Sequence, residues 1–227
     1  DQNYRQEIEG VLRWYPSEPS IILQGNWFHN NTPVVSLEKM QDYYLSSVGY
    51  GVTPLMNISP NSKGLIDEST VDRLIEFKTW VDELHRSDLT QSGKVKVSTD
   101  SHRVKGSKFA PKVLIDNDYD TYFATDDNMR NAVIEIDLGT VQEIDGFIIQ
   151  EYIPLGQRVD GYSIECRVEG NWVEVFAGKK IGYKRIILEG RTSASNIEFP
   201  ASDGVRLKIS HALACPLIST FQVIGNQ

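Results

Sequence analysis

Apolar and polar positions recur along the chain with two different periods, and the change comes near residue 90. Pro19-Ser-Ile-Ile-Leu-Gln24 is a short apolar run that ends at Gly25, followed by the aromatic cluster Asn26-Trp-Phe-His29. This is the pattern of a buried strand that delivers side chains to a loop. Behind Ser36, a helix-capping residue type, Leu37, Met40, Tyr44, Leu45 and Val48 recur at helical spacing, with Glu38 in the first turn and Gly49 and Gly51 as the stop. Pro54-Leu-Met-Asn-Ile-Ser59 predicts a second strand and Pro60-Asn-Ser-Lys-Gly64 a turn-rich connector. From Asp67 onward, Val71, Leu74, Ile75, Trp80, Val81 and Leu84 predict a second amphipathic helix. A strand, helix, strand, helix series belongs in a parallel sheet with helices outside it.

Ser87-Asp-Leu-Thr-Gln-Ser-Gly93 reads as a polar linker, and helical periodicity stops after it. Lys94-Val-Lys-Val-Ser-Thr99 alternates, and strands are expected at Ala132–Leu138, Ile144–Gln150, Tyr162–Val168, Trp172–Phe176, Val205–Ser210 and Phe221–Ile224. Glu169-Gly-Asn171 reads as a hairpin turn in which Gly and Asn supply the positive φ. Many short strands separated by turns indicate an all-β sandwich or jelly roll. The expected architecture is therefore multidomain, α/β followed by all-β, with residues 1–90 and 94–227 as the two parts.

Composition narrows the function classes. Of 227 residues, 40% are hydrophobic and 24% charged, and the net charge of −8 gives no electrostatic reason to expect nucleic acid or an anionic membrane as a partner. No stretch approaches the roughly 20 apolar residues of a membrane span, and Asp1-Gln-Asn-Tyr-Arg-Gln-Glu7 does not read as a signal peptide. Lys179, Lys180, Lys184 and Arg185 form a short basic cluster, expected to be a solvated strand edge that discourages pairing. Cys166 and Cys215 are expected as two separate buried thiols. Dinucleotide and P-loop glycine motifs, zinc-spaced Cys/His clusters and a Gly-x-Ser-x-Gly elbow do not occur. Hydride transfer, phosphoryl transfer and serine hydrolysis thus lack sequence support.

Three segments of the first part, Glu18-Pro-Ser-Ile-Ile-Leu-Gln-Gly-Asn-Trp-Phe-His29, Tyr43-Tyr-Leu-Ser-Ser-Val-Gly49 and Pro54-Leu-Met-Asn-Ile-Ser-Pro-Asn-Ser-Lys-Gly-Leu-Ile-Asp-Glu68, resemble the end of the barrel of family 29 glycoside hydrolases, the α-L-fucosidases. Glu151-Tyr-Ile-Pro-Leu-Gly-Gln-Arg-Val-Asp-Gly-Tyr, continuing to Val175, and Ile181-Gly-Tyr-Lys-Arg-Ile186 resemble the sandwich appended to that barrel. The resemblance implies about two terminal β/α units of a TIM-type (β/α)8 barrel, followed by a galactose-binding-like sandwich. It also implies a retaining exo-glycosidase that removes terminal α-L-fucose from fucosylated glycans, using an Asp nucleophile and a Glu acid/base and no cofactor for catalysis. Neither catalytic motif occurs in this sequence, so both carboxylates are expected upstream and none is assigned here. The alternative is a non-catalytic carbohydrate-binding or structural sandwich with a barrel remnant. The family's activity suggests an extracellular, periplasmic or lysosomal setting.

On the matching positions, the resemblance assigns substrate contact to Trp27, whose indole would pack on the apolar C5-methyl edge of fucose. It adds His29 as a hydrogen-bonding group and Glu18 on the aglycone side. A buried structural aromatic, a satisfied loop histidine and a surface carboxylate are the plain readings of the same three residues. Asn57, at the end of the second strand, is expected to support the pocket. The second part is similar to discoidin-like, coagulation factor V/VIII type C sandwiches, which serve in glycosidases as family 32 carbohydrate-binding modules. In that pattern Asp116, Asp118 and Thr121 would surround a structural calcium ion, with Asn117 in place of the usual Gly; a hydrogen-bonded acidic turn without metal fits the same residues. Sugar binding by the sandwich would fall to His102, Arg103 and Tyr152, although packing against the barrel is the leading role expected of it.

Overall fold

In the computed structural model the residues described are 4–8, 11–15, 17–100, 103, 107–191 and 197–225. A hairpin of β1 (Tyr4–Ile8) and β2 (Val11–Tyr15) opens the chain, in a stretch where the sequence predicts no strand. Then come β3 (Ser20–Ile22), α1 (Leu37–Ser47), β4 (Leu55–Asn57) and α2 (Glu68–Arg86), the expected series. β3 and β4 pair in parallel, Ser20 against Leu55 and Ile22 against Asn57. At the start of α1 the Ser36 hydroxyl accepts the Lys39 N–H at 3.2 Å, and Met40, Tyr44 and Leu45 are its buried face. A 3₁₀ turn over Val48–Tyr50 ends on Gly51 at φ 74°, where a Cβ would sit 3.0 Å from that of Tyr183. Positive φ and close approach both require glycine there.

Among the described residues nine strands follow: β5 (Lys96–Thr99), β6 (Phe123–Ala124), β7 (Ala132–Gln142), β8 (Gly146–Glu151), β9 (Val159–Val168), β10 (Asn171–Gly178), β11 (Arg185–Leu188), β12 (Ser202–Ala212) and β13 (Leu217–Ile224). They form two antiparallel sheets, ordered β10-β9-β12-β7-β5 and β11-β8-β13-β6. Between them lies one core in which Ile134, Ile164 and Leu207 from the first sheet meet Phe147, Ile149 and Phe221 from the second, all without solvent exposure. Burying each such side chain contributes about 1.5–3 kcal/mol. Cys166, in the same core, is a free thiol that burial pushes up to about 12; Cys215 is buried and free as well.

Glu151, the last residue of β8, is 2% exposed and acts as a clamp. Its Oε1 accepts the N–H groups of Arg158 at 2.7 Å and Val159 at 2.8 Å, and its Oε2 accepts that of Gly182 at 2.8 Å. One side chain thus ties the entry of β9 and the approach to β11 to the end of β8.

Three expectations are corrected. In the β9–β10 hairpin the positive φ belongs to Glu169 (49°) and Gly170 (80°), while Asn171 is already paired with Val168; a two-residue turn of type I′, whose twist matches the strands, has both central residues left-handed. The basic cluster is split. Lys179 is exposed, but Lys184 is packed at the junction, where burial lowers its pKa, and the Arg185 guanidinium lies 3.8 Å from the centre of the Tyr50 ring. The segment 87–93 is no free linker: Asp88, Leu89 and Thr90 are buried, Asp88 bridges to Ile224, and the Gly225 N–H bonds the Ser87 carbonyl at 2.9 Å.

Helices and sandwich share a second core. Ile148, Ile186 and Ile224, on the outer face of the four-stranded sheet, pack with Tyr44, Leu45 and Leu84, and Phe77 and Trp80 lean against them. Tyr44 meets the Trp80 ring edge-on at 5.6 Å, a preferred aromatic geometry.

Candidate functional site

The loop leaving β3 is built by its own asparagines. Gly25 turns the chain at φ 72°, the Asn26 Oδ1 accepts the Trp27 N–H at 2.7 Å, and the Asn30 side chain donates to the carbonyls of Gln24 (3.1 Å) and Phe28 (3.0 Å). The strand alongside supplies the second anchor. At the end of β4 the Asn57 amide donates to the Trp27 carbonyl at 3.0 Å, and the Ser59 hydroxyl donates to it at 2.7 Å. With four of its backbone groups held, the loop leaves Trp27 50% exposed and Phe28 80% exposed. Asn57 therefore anchors the Trp27 loop, and Ser59, which the sequence did not single out, shares that role.

His29 is fixed from the other side. Its Nε2 lies 2.7 Å from Asp67 Oδ2, while Asp67 Oδ1 accepts the Asn61 amide at 2.9 Å. The Asn61 hydrogen bond, and after it that from His29, hold the Asp67 carboxyl below the usual carboxylate range. Trp27, Phe28, His29, Asn57, Ser59 and Asp67 thus meet on the side where β3 and β4 end. An exposed aromatic face beside convergent hydrogen-bonding groups suits a ligand with one apolar and one hydroxylated side. Among the described residues this cluster offers one carboxylate, Asp67, whereas a retaining glycosidase needs two about 5–5.5 Å apart.

Glu18 stands elsewhere. It is exposed at the start of β3, beside the backbone bonds from Thr53 N–H to Ser17 and from Leu55 N–H to Pro19. The length of the strand, on the order of 10 Å at 3.3 Å per residue, separates it from the loop that carries Trp27 and His29.

In the sandwich, the acidic turn closes on itself. Asp116 accepts the Asp118 N–H at 2.9 Å and the Thr121 hydroxyl at 2.8 Å, Asp118 accepts the Asp120 N–H at 3.0 Å, and Asn117 adopts φ 59° where Gly is usual. Among the described residues no group of three or more His, Cys, Asp and Glu side chains is placed to hold a metal. Calcium takes six to eight oxygens. In this structure the carboxylates of the turn are engaged by local donors.

His102 lies outside the described residues. Arg103 and Tyr152 come together in one aromatic cluster: Tyr152 stacks on Tyr122 at 4.1 Å, Tyr122 contacts Phe109 at 5.2 Å, and the Arg103 guanidinium, paired with Asp127, sits 5.5 Å from the Phe109 ring centre. These half-buried rings pack on each other. A separate groove, of about 830 Å³, runs between α1 and the sandwich and is lined in part by Ile21, Tyr43, Tyr50, Phe176 and Ile186.

Comparison with known proteins gives a consistent result over nearly the whole chain. The F5/8 type C domain family model matches residues 94–211. Alpha-L-fucosidase 1 of Arabidopsis thaliana is 27% identical over 226 residues, which cover 96% of this chain and 42% of that protein. Putative alpha-L-fucosidase 1 of Oryza sativa subsp. japonica is 29% identical over 216 residues, covering 94% and 40%. This chain spans about two fifths of the length of these curated relatives. A Ruminococcus gnavus GH29 fucosidase solved in complex with fucose superposes with a TM-score of 0.84 at 27% identity, over 94% of this chain and 42% of that one.

Proposed function

The chain belongs to the F5/8 type C domain family through residues 94–211, and from that premise we propose that it is the C-terminal portion of an exo-acting, retaining α-L-fucosidase acting on fucosylated glycans. The observation that carries this reading is the match along nearly the whole chain, helices and sandwich together, to α-L-fucosidases that are more than twice as long. In this reading β3-α1-β4-α2 is the last pair of β/α units of a TIM-type barrel, and the nucleophile and acid/base lie upstream of residue 1. The placement of the Trp27 loop supports it, because barrel active sites form at the C-terminal ends of the strands.

Trp27 and His29 then face the fucose, the indole against its methyl edge and the imidazole towards a hydroxyl, while Glu18 belongs to the opposite end of the strand. The sandwich serves first as a packing partner. Its apolar outer sheet face holds α1 and α2 in place, and that fixes the strand ends from which the sugar-facing loop projects. A glycan substrate suits an extracellular, periplasmic or lysosomal setting.

An aryl α-L-fucoside tests the assignment. The 227-residue chain alone is expected to give no turnover, and the longer protein carrying it is expected to lose on the order of tenfold or more in kcat/KM on Trp27→Ala, the scale of one lost apolar sugar contact. Turnover by the isolated chain that disappears with Trp27→Ala would show that the catalytic carboxylates lie within these residues and overturn the proposal.

A further inference from the structure

A helix that opens on Asp ordinarily turns the carboxylate back onto the N–H of its second or third residue. α2 does not. Asp67 has the extended backbone of an N-cap residue, φ −64° and ψ 142°, yet its side chain makes no capping bond. Both of its oxygens are turned the other way, one to His29 and one to Asn61. Asn61 in turn is fixed by its own tight turn: its Oδ1 accepts the N–H groups of Lys63 (3.0 Å) and Leu65 (3.1 Å), and its N–H bonds the Leu65 carbonyl at 2.8 Å. A rigid turn therefore aims the carboxylate, and the carboxylate gives up the cap to reach a residue 38 positions earlier in the chain.

An ionised carboxylate only accepts hydrogen bonds, so the nitrogen facing it must carry the proton. In a neutral imidazole the second nitrogen is then an acceptor. We infer that Asp67 is a positioning residue for His29, holding the ring as its Nε2–H tautomer and leaving Nδ1 as a fixed acceptor beside Trp27. Held below the usual carboxylate range, the Asp67 carboxyl stays ionised, and so an acceptor, across the neutral range. What Nδ1 meets rests on the sugar-facing reading of the loop, where the partner is a sugar hydroxyl; the tautomer itself does not.

The test is long-range proton–nitrogen NMR of the imidazoles in the 227-residue chain at mildly alkaline pH, with His29 assigned through His29→Gln. Wild type is expected to show one tautomer, with a protected Nε2–H. In Asp67→Ala that proton should exchange with water about tenfold faster or more, as loss of a charge-assisted hydrogen bond implies, and the ring should become a mixture of tautomers. Asp67→Asn, which keeps an acceptor oxygen and a good capping residue, should restore most of the protection. Helix content by far-UV circular dichroism is expected to stay within error of wild type in both variants.

A proton found on Nδ1 in wild type, or an Nε2–H signal unmoved by Asp67→Ala, would overturn the inference. Added L-fucose separates the two readings. If His29 behaves as expected but neither its signals nor the Trp27 indole N–H respond to millimolar L-fucose in the longer protein, the positioning role stands and the sugar-facing reading falls.

Discussion

Replacing Glu151 tests how far one buried carboxylate organises the sandwich. Three backbone N–H groups converge on it within 2.7–2.8 Å, those of Val159 and Gly182 in fully buried surroundings and that of Arg158 partly buried. Glu151→Ala removes the acceptor for all three. Each buried donor left without a partner costs about 1–3 kcal/mol, so two fully buried donors and one partly buried one give a loss of about 4 kcal/mol, a large share of the 5–15 kcal/mol of a typical domain. Glu151→Gln keeps one acceptor oxygen and turns an NH2 group towards one of the donors, so its cost should be lower, about 2 kcal/mol. Urea denaturation followed by tryptophan fluorescence reads both, and for a protein of this size the Ala variant should also melt roughly 10 °C lower. If both variants stay within about 1 kcal/mol of wild type, or if Gln costs more than Ala, the clamp is not what holds β8, β9 and β11 together.

Two further outcomes follow from the junction and the acidic turn. Burial, and after it the nearby Lys184, lower the pKa of His85, whose Nε2 lies 3.1 Å from the Tyr44 hydroxyl; Asp82 and Asp88 oppose the shift. The folded pKa lies below the unfolded one, so the unfolded chain binds the proton more readily, and stability falls as pH drops through the ordinary histidine range and levels off once the folded form is protonated too. The melting temperature should therefore decline between about pH 7.5 and 5.5, less steeply in His85→Gln; an unchanged slope in that variant, or a rise on acidification, contradicts this account. Chelation with EDTA should leave the melting temperature within about 1 °C, since only a ligand that binds the folded state raises it. A stabilisation by millimolar calcium that Asp116→Asn abolishes would mean that the turn opens to bind metal.

The change of period near residue 90 was legible because each element carries its own signal: Ser36 ahead of the helical spacing of α1, or the alternating run at Ala132. What stayed hidden was contact between distant residues. Asp67 reads locally as a helix start, and nothing in the spacing says that its carboxylate turns to His29. Lys184 and Arg185 read as edge charges because the turn they pack against, at Tyr50 and Gly51, comes more than a hundred residues earlier. Glu169 does not read as a left-handed residue, since side-chain preference favours Asn, and the tight pairing of β9 with β10 overrides that preference. The sugar-facing loop was half legible: Trp27, His29 and Asn57 could be named, whereas Ser59 and Asn61 earn their places only through distances.

The buried stretch from Asp88 to Thr90 bears on modularity. An exchangeable module would be joined by a tether that can be cut and respliced. Here the tether is itself a brick. Leu89 sits in the sandwich core, Asp88 forms a bridge with Ile224, and the sheet beyond turns its isoleucines towards the helices. Moving this domain to another host would mean carrying its seam along, and a rotation at the seam would have to break the cores on both sides of it. The two parts share a core, so the isoleucines of the outer sheet face cannot shift without disturbing the side chains of α1 and α2 packed on them.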